Sequence, residues 1–200
     1  MLQRKRKLGL ALILTAWALP LLLIGTVLMA EHWVVLPVPG RDDARFSAAL
    51  SELTHEKVSG WHMVHILYGD CRCSQRVFDY LLARPRVPDA DEQVLLVGEQ
   101  QEYRSKARAC GLALSAITPD ELKERYDVES APLLVITDPA GQVRYAGGYT
   151  SRRQGLDYRD TEILRSLRAG KTVDSFPLYG CGVSRELQAR LDPIGIKYKR

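Results

Sequence analysis

Cys71 and Cys73 stand one residue apart in Tyr68-Gly-Asp-Cys71-Arg-Cys73-Ser74, where an apolar run gives way to helical spacing. Two thiols at a helix start lie beside unpaired backbone N–H groups and the positive end of the helix dipole. Both effects lower a thiol pKa and make the reactive thiolate available near neutral pH. Arg72 and Arg76 add positive charge, and Asp70 partly opposes it. Such a pair can carry thiol–disulfide exchange, or hold a soft metal with the same sulfurs. A Cys-x-Cys disulfide closes a smaller ring than Cys-x-x-Cys and meets the allowed Cα separation only where the backbone turns sharply. That bond is expected to be easily reduced, hence oxidising or isomerising in character. Alternatively, Cys71 or Cys73 pairs with a distant thiol.

Cys181 is the candidate for that distant thiol. It sits in Phe176-Pro-Leu-Tyr-Gly-Cys-Gly182, where flanking glycines suit chemistry better than packing. Cys110, among small residues near a helix end, reads as an ordinary buried thiol. Four cysteines in 200 residues are too few for a disulfide scaffold. All four histidines precede position 66, and the odd spacing of His62 and His65 puts them on opposite faces of a strand. They read as sheet residues, not as one metal clasp. Arg152, Arg153 and Asp157 read as a solvated loop, with the rim of the cysteine site as the other possibility. The chain has no Ser-His-Asp arrangement, phosphate-cradling glycine loop or H-E-x-x-H motif.

The elements that must position these thiols follow from periodicity. Phe46, Ala49, Leu50 and Leu53 predict an amphipathic helix running to about Val58. Met63–Tyr68 predicts a buried strand ending at Gly69-Asp70, and Ser74–Ala83 a helix closed by Arg84-Pro85. Strands are expected at Gln93–Gly98, Leu112–Ile117, Pro132–Thr137 and Gln142–Ala146, the last two joined by the turn residues Asp138-Pro-Ala-Gly141. Helices are expected at Glu102–Cys110, from Pro119 to Tyr126, and at Thr161–Arg168. Strands alternating with helices and ending in a hairpin indicate a three-layer α/β domain with a mixed sheet.

Charge places that domain. Composition is ordinary for a globular protein, at 46% hydrophobic and 26% charged. The net +4 resides in Arg4, Lys5, Arg6 and Lys7, since residues 31–200 hold 24 basic and 24 acidic side chains. A neutral folded part gives no support for a nucleic-acid partner. Leu8–Ala30 carries no charge, and at 1.5 Å per residue it makes roughly 34 Å of helix, enough to cross a membrane core of about 30 Å. A signal peptide is the competing reading, but the run is long and Leu28-Met29-Ala30 is a poor cleavage site. The expected organisation is a cytoplasmic basic tail at 1–7, a transmembrane anchor at 8–30 and a linker at 31–44. A folded domain at 45–172 and a C-terminal extension at 173–200 carrying Cys181 complete it. The domain would then lie in an oxidising compartment, where disulfide chemistry is possible.

From about Phe46 to Arg168 the chain resembles the thioredoxin-like superfamily. Val64-His-Ile-Leu-Tyr-Gly-Asp-Cys71 is similar to the strand leading to that family's nucleophilic cysteine. Val128-Glu-Ser-Ala-Pro-Leu-Leu-Val-Ile-Thr-Asp-Pro-Ala-Gly-Gln-Val-Arg-Tyr-Ala-Gly-Gly148 is similar to its cis-proline strand and hairpin. The resemblance implies that Pro132 follows a cis bond and faces the cysteines. It puts Cys71 at the first active-site cysteine and Ser74 at the second, so Cys73 stands one place early. The close Cys-x-Cys pair, Gly147-Gly-Tyr-Thr-Ser-Arg-Arg-Gln-Gly155 and the late Cys181 motif also resemble bacterial membrane-anchored thioredoxin-like proteins named RedB.

These readings converge on a bacterial inner-membrane, single-pass protein with its soluble domain in the periplasm, acting as a thiol–disulfide oxidoreductase on protein cysteines. Cys71 is expected to attack, Cys73 or Cys181 to resolve the mixed disulfide, and Ala131, Pro132 and Arg72 to bind substrate. No cofactor or metal is expected, and an unidentified redox partner is required. The rival is a copper or iron–sulfur binding protein using Cys71, Cys73 and Cys181, or those with Cys110. A copper-delivery relative would carry a histidine after the cysteines, and none follows His65.

Overall fold

The computed structural model describes residues 2–32, 34–53, 60–98, 100–153, 155–193, 195, 197 and 198. It divides into two compact units, Met1–Val34 and Val35–Arg200. The first is the helix α1 (Leu2–His32), with Pro20 inside it. Its Gly9–Thr26 stretch, of mean hydropathy 2.0, is long and apolar enough to cross a membrane. Leu10, Leu14, Trp17 and Leu21 on this helix are all exposed, as a lipid-facing surface requires.

The second unit is built on a five-stranded mixed sheet. In chain order it contains α2 (Ala44–Leu53), β1 (Trp61–Tyr68), α3 (Arg72–Ala83), β2 (Ala90–Val97), α4 (Gln101–Ala109) and β3 (Ala113–Ile117). There follow α5 (Pro119–Tyr126), β4 (Ser130–Ala131), β5 (Leu133–Thr137), β6 (Val143–Gly147), α6 (Asp160–Arg168), β7 (Cys181–Gly182) and α7 (Arg185–Leu191). The sheet order is β3-β2-β1-β5-β6. β1 runs parallel to β2, and β2 to β3, whereas β5 and β6 are antiparallel. The predicted end of α2 near Val58 falls on residues 54–59, outside the described residues.

β1 sits in the middle of the sheet, so both its faces are buried and its sequence is almost continuously apolar. Val64 and Ile66 pack on one face with Phe46, Leu122, Tyr126 and Val183. Met63 and Leu67 pack on the other with Phe78, Leu81, Tyr145 and Ile163. Helices α2 and α5 therefore cover one face, and α3, α4 and α6 the other, giving the three layers expected. α5 starts on a capping box, with Thr118 accepting from the Glu121 N–H and Glu121 accepting from the Thr118 N–H.

Two segments differ from their sequence reading. The Pro/Gly-broken stretch after Val35 reads as a tether, yet Leu36 is buried and its N–H donates to Leu178 at 3.0 Å. Arg41 reaches the Val173 carbonyl at 2.6 Å, and Ser130 donates to the Pro37 carbonyl at 2.6 Å. The stretch after Val173 reads as lying outside the fold. It returns to it, because Leu178 and Val183 carry apolar side chains that the α2/α5 side of the core accepts.

Candidate functional site

The β1–α3 junction turns at Gly69-Asp70, where the Cys71 N–H donates to the Tyr68 carbonyl at 3.0 Å. Cys71 is the N-cap of α3 in extended conformation, and its carbonyl accepts from the Gln75 N–H at 2.9 Å. Ser74 is buried, with its hydroxyl oxygen accepting from the Tyr68 N–H at 3.0 Å. At the position where Cys-x-x-Cys would carry its second sulfur, this chain has a brace between strand and helix.

Across from this turn, the Ala131–Pro132 peptide is cis, as the resemblance implies. Ala131 is paired antiparallel with Cys181, and Ser130 with Gly182. The Val183 N–H extends this ribbon to the Glu129 carbonyl at 2.7 Å. The approach is close enough to require glycine at 180, since a Cβ there would stand 1.9 Å from the Ala131 oxygen. The Tyr198 hydroxyl accepts from the Gly182 N–H at 2.8 Å, and Gln188 donates to the Gly182 carbonyl at 3.0 Å. Backbone pairing thus carries Cys181 from the tail to the cis-proline.

The three sulfurs meet there. The Cys71 thiol is hydrogen-bonded to both Cys181 and Cys73. A thiolate accepting an S–H bond is favoured, and the donor thiol is correspondingly harder to ionise. Cys181 lies at the accepting end: the bond from Cys71 lowers its pKa, and Lys197 and the Tyr198 hydroxyl help. Cys71 is raised, chiefly by the bond to Cys181, although the bond from Cys73 opposes this. Cys73 is raised by its bond to Cys71 and by burial.

This ordering corrects the simple helix-dipole expectation that both cysteines at the start of α3 ionise readily. Exposure points the same way. Cys71 is 0% exposed, while Cys73 and Cys181 are half-buried and line a pocket of 700 Å³. Attack by Cys71 on an outside disulfide, the role read from the sequence, is therefore obstructed by its burial in this arrangement. Pro132, Arg72 and Arg153 line the pocket; Ala131 is buried behind it. Arg153 lines the pocket with Thr150, Gly155 and Tyr158 of the same loop, whereas Arg152 and Asp157 are not among the described lining residues.

Several features escaped sequence reasoning. Cys110 is exposed at the C-cap of α4, where Ala109 and Gly111 on either side of it also face solvent while Ala107 faces the core. Tyr198 and Lys197 join the site with no signal beyond proximity to the C-terminus. His65, placed on one face of β1 as expected, is wholly buried and bonded through Nδ1 to the Tyr149 hydroxyl at 2.9 Å. Burial lowers its pKa to about 3. Among the described residues, no group of three or more His, Cys, Asp or Glu side chains is arranged to hold a metal ion.

No protein-family model and no curated protein matches this chain. Solved structures are similar to it. A hypothetical protein of Sinorhizobium meliloti is 15% identical with a TM-score of 0.50, the match covering 66% of this chain and 82% of the other. The thioredoxin domain of a thiol-disulfide oxidoreductase from Bacteroides vulgatus is 12% identical with a TM-score of 0.42, covering 57% and 83%. A thiol:disulfide interchange protein from a Bacteroides species is 12% identical with a TM-score of 0.41, covering 58% and 76%.

Proposed function

We propose that Val35–Arg200, a mixed five-stranded sheet covered by helices on both faces, is a thioredoxin-like domain and that the protein is a membrane-anchored thiol–disulfide oxidoreductase. The observation that carries the proposal is the placement of Cys73 and Cys181 on one pocket with Pro132, Cys181 being paired with Ala131 and Cys71 standing beside them at the N-cap of α3. In the reducing direction, the Cys181 thiolate attacks an outside disulfide RS–SR. A Cys181–S–S–R bond forms and RS⁻ leaves, taking up a proton. Cys71 then gives up its proton and attacks the Cys181 sulfur, forming Cys71–Cys181 and releasing the second thiol. Two protein thiols are oxidised and one disulfide is reduced to two thiols; the oxidising direction is the reverse. Cys73, as donor to Cys71, stabilises the Cys71 thiolate as its proton leaves, and supplies the alternative Cys71–Cys73 pair. A second redox partner restores the starting state.

Location follows from α1 and its charge. Basic residues 4–7 before an apolar helix favour a cytoplasmic N-terminus and a periplasmic domain in a bacterial inner membrane. The partner expected from the sequence is a protein cysteine. A protein chain would dock as an extra strand on the backbone at Ser130–Ala131, and that backbone is already paired with Cys181–Gly182.

The test is a thiol count by alkylation and intact mass on the full chain in detergent, across a glutathione redox series. The expected result is one reversible two-electron step, with peptide mapping joining Cys71 to Cys181. A Cys71–Cys73 peptide would return the chemistry to the Cys-x-Cys pair. Thiols that never pair, or a mass carrying copper or iron, would overturn the proposal in favour of soft-metal binding.

A further inference from the structure

The pocket that gives access to Cys73 and Cys181 has a charge and a shape of its own. Arg72, Arg76, Arg153 and Lys197 line it, against Asp70 as the one carboxylate among the described lining residues. The folded part of the chain is formally neutral overall, so this is a local concentration of positive charge and not a general property of the surface. Tyrosine side chains complete the walls, Tyr68, Tyr158 and Tyr179 among them. At 700 Å³ it matches the size of a small-molecule site.

The strand edge beside it points the same way. Thiol chemistry on a protein partner calls for an extended segment laid along the backbone before Pro132, as in other strand-addition complexes. Here residues 181–183 satisfy that backbone through the Ser130–Gly182 and Ala131–Cys181 pairs and the Val183 N–H bond to Glu129. The fit at Gly180 leaves no room for a side chain, still less for a second chain. What remains open is the pocket, which offers sulfur, aromatic surface and cations.

We infer that the substrate of this site is a small anionic thiol or disulfide, bound by the arginines and lysine of the pocket. The inference rests on the exchange reading above and narrows it. Carboxylates of the bound molecule meet Arg72, Arg76 and Arg153, while its disulfide lies against Cys181. A cationic pocket raises the local concentration of anions, and the effect is screened by salt. The electron balance is the one already written: Cys71 and Cys181 lose two electrons together, and the small disulfide becomes two thiols.

The experiment uses the reduced full chain in detergent and measures single-turnover loss of protein thiols with dithiodiglycolate, hydroxyethyl disulfide and cystamine. These probes are anionic, neutral and cationic. Each rate is divided by the rate of the same probe with free dithiothreitol, which removes intrinsic reactivity. The expected result is a normalised preference for the anion over the cation of about tenfold or more at low salt, shrinking at high salt. In Arg76→Glu and Arg153→Glu the anion-to-cation ratio falls, a readout independent of the fraction of active protein. Equal normalised rates, or faster reaction with cystamine, would overturn the inference while leaving exchange intact. Faster normalised reduction of a protein disulfide such as insulin would overturn it in favour of a protein substrate. If no probe removes thiols, the exchange reading falls and this inference falls with it.

Discussion

Ala131 and Cys181 face each other across an antiparallel bridge, and the peptide bond that follows Ala131 is the cis bond to Pro132. Fifty residues of chain separate this pair, yet backbone hydrogen bonds bring the late cysteine to the same turn as Cys71. The bridge has two consequences. It delivers a third sulfur to the site, and it closes the backbone edge on which another chain would lie.

If the bridge closes the site, loosening it should open Cys71. Gly180→Ala places a Cβ 1.9 Å from the Ala131 oxygen and 2.7 Å from Pro132 Cδ, neither of which is the end of a flexible side chain. The tail must shift. Cys71, 0% exposed in the native arrangement, is expected to react with iodoacetamide about tenfold faster, equivalent to about 1.4 kcal/mol of lost protection. Peptide-resolved alkylation checks it, and an unchanged Cys71 rate would mean that the tail is not what shields this sulfur.

The proton order among the thiols gives a second expectation. The Cys181 pKa is lowered first by the bond from Cys71, then by Lys197 and the Tyr198 hydroxyl. Removing a donor to a thiolate destabilises it, so Cys71→Ala must move the midpoint of Cys181 alkylation upward in pH. Tyr198→Phe should move it the same way. A pH profile of Cys181 labelling that stays in place in both variants would assign the thiolate to another sulfur.

How far the sequence was legible depends on the range of the interaction that decides each feature. The sheet was readable because β1, β2 and β5 are short apolar runs between turn residues, a local signal. The turn at Gly69-Asp70 and the cis-proline position were readable through the Val64–Cys71 and Val128–Gly148 resemblances. The pairing of Cys181 with Ala131 was not, since no local propensity specifies it; the glycines at 180 and 182 were its sole trace. The thiol order differs from the helix-dipole expectation for a related reason. A helix N-terminus acts on Cys71 from its own chain neighbourhood, but sulfur neighbours brought in from residue 181 reverse its effect.

Beneath the site, α6 is held to α3 and β2 by a buried carboxylate. Asp160 is 0% exposed and accepts from the Tyr80 hydroxyl at 2.7 Å and from Arg84 at 2.8 Å, while Arg84 also meets Glu92. Asp160→Asn keeps the shape and removes the charge, leaving Arg84 partly uncompensated in a buried setting. The expected cost is about 3–5 kcal/mol, measured by chemical denaturation of the full chain in detergent. Glu102→Gln, which breaks an exposed pair with Lys106, is the control and should leave stability unchanged. Equal effects in the two variants would show that the buried network does not hold α6.

Acid should destabilise the domain through His65 before it does so through ordinary carboxylates. The ring is wholly buried; Nδ1 bonds the Tyr149 hydroxyl, and Nε2 has no hydrogen-bond partner among the described residues. Desolvation lowers its pKa from 6.5 to about 3; Asp160 opposes that shift, while Arg84 and Arg86 reinforce it. The folded state therefore keeps His65 neutral, whereas the unfolded chain takes up a proton below about 6.5. The stability that this neutral ring permits is fully present above the unfolded pKa and is lost as pH falls toward the folded one. The slope approaches about 1.4 kcal/mol per pH unit for one proton. Between about pH 6 and about pH 5, carboxylates of ordinary pKa contribute little, so the slope there reports histidine. His65→Gln cannot take up that proton, and its stability curve over this interval should be flatter than that of the native chain by up to this amount. His62, also lowered by burial, accounts for a residual slope that His62→Gln removes. Parallel curves for the native chain and His65→Gln would mean that His65 is protonated in the folded state, with Tyr149 accepting from it.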